Sequence, residues 1–254
     1  MRVTILGCGG SLGVPMIGDD WGDCDPNDPR NRRRRASILV QTAGATVLVD
    51  TSPDMRAQLL DTGVRTVDAV LYTHSHADHT AGLDDLRPLM FRHGNPLPAY
   101  MDAATQESLE ARFGYAMSSV DVDRSFYRPI ITPLPINGPF RVGDLDIVPF
   151  VQGHGPMDSI GFRFGPFAYS TDVKDLSDAA FAALAGIDTW VVDATRERPH
   201  ISHAHLDLAV AWAARLGVRR TILTHMNHTM DYARIAAKLP PGVEPGIDGM
   251  VLAF

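Results

Sequence analysis

The stretch "LYTHSHADHTAGLDD", residues 71–85, holds three histidines and one aspartate within six consecutive positions, His74, His76, Asp78 and His79. It follows a short apolar run that predicts a strand and precedes a segment with helical spacing. Imidazole nitrogens and carboxylate oxygens bind zinc, manganese and iron. Alternate residues of an extended chain share a face, so the first two histidines can bind one metal ion. The other two residues lie a turn further on and can reach a second ion. A surface turn with incidental histidines would not concentrate ligand-type residues so densely.

Further candidate ligands stand at the ends of predicted strands. His154 follows strand 145–151, Asp172 ends strand 166–171 and His225 ends strand 219–224. Functional groups of α/β proteins lie in the loops beyond strand ends. Each of these residues alone would more often be a capping or surface residue. Together with the first cluster they make five histidines and two aspartates, which is enough for two ions.

Composition limits the class of protein. The chain has 254 residues, 45% of them hydrophobic and 21% charged, as in a soluble globular protein. The formal charge of −7 argues against a general nucleic-acid binder. Two cysteines, Cys8 and Cys24, allow no disulfide framework, and we find neither a signal peptide nor a membrane span. We expect a cytoplasmic protein without membrane contact.

Strand and helix patterns favour one α/β domain over residues 1–254, with sheets covered by helices. Short β-type runs predict strands at 2–6, 37–41, 45–50, 67–72, 145–151, 159–164, 166–171, 188–193, 219–224 and 249–253. Helices are predicted at 53–62, 103–113, 177–185, 206–216 and 230–238. Residues 114–140, with four prolines, are interpreted as an extended, partly ordered excursion of unknown role.

Several motifs resemble one known family. "THSHADH" resembles the HxHxDH signature of the metallo-β-lactamase superfamily, and the later candidate ligands match its remaining ligand positions in order. "GCGGSLGVP" (7–15) and "GLDDLRPL" (82–89) are similar to the PhnP-type phosphodiesterases, relatives of the tRNA 3′-processing nuclease RNase Z. The resemblance covers essentially the whole chain and implies an αβ/βα four-layer sandwich, with the metals between the edges of two sheets.

The resemblance also implies a role for each ligand. His74, His76 and His154 would hold one metal ion, Asp78, His79 and His225 would hold the other, and Asp172 would bridge them. Asp50, which closes strand 45–50, matches an aspartate that orients the ligand loop. The same residue could also cap the N-terminus of helix 53–62, and the two roles are compatible.

Two divalent ions, manganese or zinc with iron also acceptable, would share a hydroxide and neutralise a phosphodiester. We expect hydrolysis of a small cyclic phosphate or nucleotide-like diester, with ribosyl 1,2-cyclic phosphate as the substrate that the resemblance suggests. Alignment with the related enzymes assigns proton donation to His203, while His200 and His205 are read as supporting or surface residues. His228 and Ser11 are weak candidates for substrate contact, since a helix cap and a tight turn explain them equally well.

The sequence departs from its relatives in one place. Several PhnP-type members carry a CxCxxC cluster for a separate structural zinc, whereas here only Cys24 remains, in "GDCDPND". We therefore expect no structural zinc and take Trp21 as an anchor of this loop.

The run "NRRRRAS" (31–37) could steer an anionic substrate, but the favoured interpretation is a solvated run with one arginine tied to a carboxylate. The glycine-rich loop lacks the P-loop lysine and the Rossmann spacing, so no nucleotide cofactor is indicated.

Other functions stay open at this stage. A tRNA 3′-processing endonuclease ranks lower because no basic arm is seen, which makes nucleic acid an unlikely partner. A nucleotide-binding sensor on the same fold and a thioester or lactone hydrolase are further alternatives. A small phosphate ester is the expected partner, and a homodimer is compatible with the sequence.

Overall fold

The computed structural model describes residues 1–117 and 128–254. Their strands are β1 Arg2–Gly7, β2 Ser37–Gln41, β3 Thr46–Val49, β4 Ala69–Leu71, β5 Leu97–Met101, β6 Ile131–Pro135, β7 Phe140–Val142, β8 Leu145–His154, β9 Met157–Phe164, β10 Phe167–Ser170, β11 Thr189–Asp193, β12 Arg220–Thr224, β13 Val243–Pro245 and β14 Val251–Ala253. Their α-helices are α1 Met55–Thr62, α2 Ala77–Thr80, α3 Arg87–His93, α4 Ala103–Phe113, α5 Asp178–Leu184, α6 Leu206–Leu216 and α7 Tyr232–Ala236.

The strands form two seven-stranded sheets of matching design. One has the order β14-β1-β2-β3-β4-β5-β6 and the other β13-β12-β11-β10-β9-β8-β7. In each sheet three antiparallel pairs are followed by three parallel pairs, which begin at β3 in the first and at β10 in the second. The parallel strands of each sheet therefore end at a common edge, where the loops that follow them meet.

The sheets pack face to face, and helices cover their outer surfaces. Ile5, Val47, Phe162 and Val191 belong to the large apolar cluster between the sheets. On the first sheet, a second cluster joins Leu48 and other strand residues to apolar side chains of α1, α3 and α4. On the second sheet, the ring of Trp212 in α6 lies 6.5 Å from that of Trp190 in β11. This is the predicted four-layer αβ/βα sandwich, because each sheet has one face toward the other sheet and one toward helices.

The proline-rich segment is more regular than expected. Of residues 114–140, positions 118–127 lie outside the described part of the chain. Among the rest, Ile131–Pro135 forms strand β6, and strand β7 (Phe140–Val142) starts at the last residue of the segment. The interpretation as an excursion was therefore wrong there. Among the described residues β6 pairs with β5 alone and forms the edge of its sheet, where a proline loses no ladder hydrogen bond on the open side.

Helix α1 shows how local signals act. It ends where predicted, at Gly63, whose φ of 68° is in the left-handed region that glycine adopts without strain. In the described residues, no helix has the length and apolar character needed to cross a membrane.

Candidate metal centre

Segments at the ends of strands from both sheets bring the predicted ligands together. The first sheet contributes the segment after β4, and α2 begins directly behind His76. The second sheet contributes the end of β8 and the residues that follow β10 and β12. All seven predicted ligands fall into groups whose ligand atoms lie within 4.8 Å of one another.

One group consists of His74, His76 and His154 with one oxygen of Asp172. His74 Nε2 lies 2.9 Å from His76 Nδ1, which lies 3.4 Å from His154 Nε2. Asp172 Oδ1 lies 3.8 Å from His74 Nε2 and 3.5 Å from His154 Nε2. Three imidazole nitrogens and a carboxylate oxygen thus converge on a common point.

The other group consists of Asp78, His79 and His225. Asp78 Oδ2 lies 3.3 Å from His79 Nε2 and 3.4 Å from His225 Nε2. The second oxygen of Asp172, Oδ2, lies 3.0 Å and 3.4 Å from the same two nitrogens. The carboxylate of Asp172 therefore faces one group with each of its oxygens.

Asp50 organises ligands of both groups from behind. Its Oδ2 accepts hydrogen bonds from His79 Nδ1 at 2.7 Å and from the Thr73 hydroxyl at 2.9 Å. The Thr73 hydroxyl is in turn 3.0 Å from His74 Nδ1. The alternative role as a helix cap is wrong, because Asp54 occupies the N-cap position of α1 and the Asp50 carboxylate is turned toward the 73–79 segment. Such contacts fix the tautomer and orientation of ligand imidazoles.

The donor set fits metal ions. His154 Nδ1 lies 2.6 Å from the Ser202 carbonyl and His79 Nδ1 faces a carboxylate, so each Nδ1 carries the proton and each Nε2 offers a lone pair. His79 Nε2 is buried without a hydrogen-bond donor among the described residues, although two carboxylates surround it. Imidazole lone pairs and carboxylate oxygens that face one another repel, so protons or cations must lie between them. Zinc, manganese and iron all accept this mixture of nitrogen and oxygen ligands.

Charge in the cluster shifts the pKa of its members strongly. Burial opposes protonation of His225, but the carboxylates of Asp172 and Asp78 outweigh it and raise its pKa to about 9. Burial would raise the pKa of Asp172, yet the imidazoles of His225, His79 and His74 hold it well below its usual range. Burial and then the neighbouring His79 lower the pKa of His74 well below its ordinary value. The carboxylates therefore stay ionised and are able to balance cations.

Three residues of the centre have unusual backbones. Asp50, Asp172 and His225 have φ values of 64°, 52° and 56°, in the left-handed region that residues with a Cβ rarely adopt. Asp50 and His225 directly follow β3 and β12, and Asp172 lies two residues after β10, so each left-handed turn comes at the end of a strand, where its side chain joins the cluster. Such conformations cost on the order of 1 kcal/mol or more and persist where the surroundings enforce them.

His203 lies beside the cluster, held by a residue that sequence reasoning missed. Its Nδ1 is 2.8 Å from Oδ2 of Asp193, the last residue of β11, and 3.7 Å from Asp172 Oδ1. Its ring stacks on that of His225 with centroids 4.8 Å apart. The only sequence signal for Asp193 was its position at a strand end. His200 also belongs here, with its ring 4.9 Å from that of His203, whereas His205 occupies the N-cap position of α6 and makes no capping hydrogen bond with its side chain.

A cavity of about 270 Å³ opens beside His203 and His225. The glycine-rich segment Gly10–Gly13, which includes Ser11, forms one wall, and Thr195, Asn227 and His228 belong to another. Both weak candidates for substrate contact therefore line it. None of its described lining residues carries a carboxylate, an ammonium or a guanidinium group.

The arginine run is not simply solvated, so the favoured interpretation was wrong. Arg33 is only 2% exposed, while Arg34 and Arg35 each pair with a carboxylate, of Asp61 and Asp54. Cys24 is buried, and its sulfur lies 3.8 Å from Arg33 Nη1.

The loop that contains Cys24 has Trp21 as its predicted anchor. The indole of Trp21 donates a hydrogen bond to Asp19 in the same loop.

Two such sheets with a histidine–aspartate cluster between their edges define a protein of the metallo-β-lactamase fold. The chain belongs to the beta-lactamase superfamily, whose domain matches residues 45–226. A new diphosphatase from the PhnP family, known from a crystal structure, shares 36% sequence identity with this chain. The two structures superpose with a TM-score of 0.91 over 100% of this chain and 97% of that one. The resemblance predicted from the motifs is therefore confirmed.

Curated relatives share part of their length with this chain. An octanoyltransferase of Porphyromonas gingivalis (strain ATCC BAA-308 / W83) is 32% identical over 253 residues, which are 98% of this chain and 51% of that protein. A ribonuclease Z of Methanopyrus kandleri is 31% identical over 130 residues, which are 50% of this chain and 43% of that protein. The chain thus spans about half the length of the curated relatives it matches.

Proposed function

We propose that residues 1–254 act as one domain that hydrolyses a small phosphodiester at a dinuclear metal centre. The observation that carries the proposal is the Asp172 carboxylate, whose two oxygens face two separate groups of ligands. One group is His74, His76 and His154, and the other is Asp78, His79 and His225. When bound, two divalent cations supply Lewis-acid activation of water and neutralise charge on the phosphate.

The residues of the chain then divide the remaining work. His203 donates the proton that the leaving alkoxide needs, because its Nδ1 is engaged by Asp193 and its ring borders the cavity. Asp193 orients the ring and stabilises its protonated form. Ser11 and His228, which both line the cavity, contact the substrate in this proposal.

The size and lining of the cavity favour a small ester. A volume of about 270 Å³ suits a sugar phosphate rather than a folded RNA. A cyclic ribose phosphate, such as ribosyl 1,2-cyclic phosphate, is the substrate we favour. A phosphoanhydride is the second candidate, since the PhnP-family relative is named a diphosphatase.

A hydrolysis panel tests the proposal. Protein loaded with manganese or zinc is assayed with a cyclic ribose phosphate, bis(p-nitrophenyl) phosphate, a dinucleoside diphosphate, a thioester and a lactone. We expect turnover of the diesters, and Asp172→Ala protein serves as the inactive control. Turnover of the thioester or lactone alone would overturn the proposal, and turnover of the diphosphate alone would select the second candidate.

A further inference from the structure

Arg33 is a buried cation without an ordinary counter-ion. It forms no ion pair with a carboxylate in the described parts of the chain, and burying an unpaired charge is costly. Its guanidinium instead donates to neutral acceptors, namely the Met230 carbonyl at 2.7 Å, the Asn31 amide oxygen at 3.2 Å, the Asn227 carbonyl at 3.4 Å and the Cys24 sulfur at 3.8 Å. Burial raises the pKa of Cys24, so this sulfur is a neutral thiol.

The guanidinium is therefore hydrogen-bonded to the backbone of the cavity wall that includes Asn227 and His228. Asn227 and Met230 flank His228, and all three directly follow the metal-ligand position His225. Asn31 reinforces the attachment, since it accepts from Tyr232 N at 2.7 Å and donates to Asp231 at 2.8 Å.

The backbone of the same arginine is hydrogen-bonded to Val14, next to the glycine-rich wall. Arg33 N and O pair with Val14 at 2.8 Å and 2.9 Å. A Cβ added at Gly9 would come within 2.9 Å of Arg33 Cβ, so the glycine-rich segment packs directly on this residue. Arg33 is thus bonded to Val14, which follows the lining segment Gly10–Gly13, and to Asn227 and Met230, which flank the lining residue His228.

We propose that Arg33 is a positioning residue for substrate binding, which sets the distance between these two walls. The proposal rests on the proposed function for its choice of substrate. It concerns ground-state binding rather than the chemical step, because Arg33 does not line the cavity and contacts neither His203 nor a metal-ligand side chain among its described bonds.

The test compares Arg33→Met and Arg33→Lys with Arg34→Ala. Methionine keeps much of the stem but no donor, and lysine keeps the charge but not the fork that spans two carbonyls. Arg34 is the matched control because its guanidinium pairs with Asp61 instead. With bis(p-nitrophenyl) phosphate we expect KM to rise about 10-fold in Arg33→Met and less in Arg33→Lys, with kcat and the two metal equivalents nearly unchanged. Arg34→Ala should behave as the unmodified protein.

Hydrogen–deuterium exchange supplies a readout that is independent of catalysis. Faster exchange confined to residues 9–14 and 226–230, with β11 unchanged, supports the proposal. An unchanged KM with unchanged exchange, or a global loss of stability and metal together with kcat, would overturn it. If Arg33→Met does not fold, Arg33→Lys decides by the same criteria. If the unmodified protein hydrolyses no phosphodiester, the proposed function fails while the exchange pattern still decides whether Arg33 holds the walls.

Discussion

Asp193 accepts a hydrogen bond from His203, with 2.8 Å between Oδ2 and Nδ1, and the same oxygen accepts the Val173 amide at 3.2 Å. The carboxylate is fully buried and its position is fixed by the end of β11. Because Nδ1 is the donor in this bond, Nε2 is the ring nitrogen available to a substrate. The pair thus fixes both the orientation and the tautomer of the imidazole.

The first prediction concerns His203. An alkoxide that leaves a cyclic ribose phosphate needs a proton in the transition state, whereas p-nitrophenolate leaves unaided. His203→Ala should therefore lower turnover of the cyclic phosphate by about 10²–10⁴-fold and affect p-nitrophenyl esters much less. Elemental analysis should find the metal content unchanged, and His205→Ala is the neighbouring control. An equal loss on both substrates would assign His203 to positioning or phosphate binding.

The second prediction concerns Asp193. Asparagine cannot stabilise the protonated His203 ring and can present an N–H where Nδ1 needs an acceptor. Asp193→Asn should reduce turnover of the cyclic phosphate by about 10–10³-fold, again with little effect on p-nitrophenyl esters. Asp188→Asn, at the other end of the same strand and paired with Arg219, is the control. Full activity of Asp193→Asn would show that His203 needs no carboxylate partner.

The third prediction concerns metal content. Protein purified without chelator should contain about two equivalents of manganese or zinc, by the ligand count of a two-metal site. Asp172→Ala should hold about one or fewer, because both groups lose an oxygen ligand, while the exposed Asp178→Ala should keep two. A stoichiometry near one in the unmodified protein would contradict the dinuclear arrangement.

The fourth prediction concerns Asp248, which accepts the Cys8 and Arg34 amides. Burial outweighs these hydrogen bonds and raises its pKa to about 6. The unfolded chain titrates this group near pH 3.9, so the folded state binds the extra proton between the two values. Its contribution to stability is therefore present below pH 3.9 and is lost as the pH rises through 6.

Asp248→Asn removes this titration. Urea unfolding at pH 4.5 and pH 7.5 should show that the unmodified protein loses about 2–3 kcal/mol relative to the variant between these conditions. Parallel pH profiles for the two proteins would mean that the carboxyl group titrates normally.

The fifth prediction concerns RNA. A chain with a formal charge of −7, and a cavity without lysine or arginine among its described lining, should bind precursor tRNA weakly. We expect no defined 3′ product at physiological salt, measured on denaturing gels beside an authentic ribonuclease Z. Efficient maturation would reverse the ranking of the two phosphodiesterase functions.

Ligand positions could be read from sequence because each of them directly follows a strand with a clear β pattern. His154 and His225 are 71 positions apart in the chain, with Asp172 between them, yet β8, β10 and β12 belong to one sheet and end near one another. The roles of individual residues remain predictions, although their convergence agrees with those roles. The division of Asp50 between two functions could not be resolved from sequence, since only the fold turns its carboxylate toward Thr73 and His79.

Other features were hidden for a physical reason. Arg33 lies in a run of four similar residues, and local sequence does not distinguish the one that tertiary packing buries. Asp193 has no sequence feature that distinguishes it from other strand ends, because its hydrogen-bond partner His203 lies in the loop that follows. Strand β6 contains prolines that are acceptable only at a sheet edge, and edge position is a property of the whole sheet.

The left-handed backbones of Asp50, Asp172 and His225 carry a consequence for engineering. A chain selected for stability alone would have glycine at such positions, because only glycine adopts them without strain. Here the side chains are indispensable to the centre, so the strain is retained as a trade-off between robustness and activity. Asp50→Gly or Asp172→Gly would relieve backbone strain while removing a carboxylate from the cluster. Stabilising screens without a catalytic readout would therefore select against the residues that form the candidate metal centre.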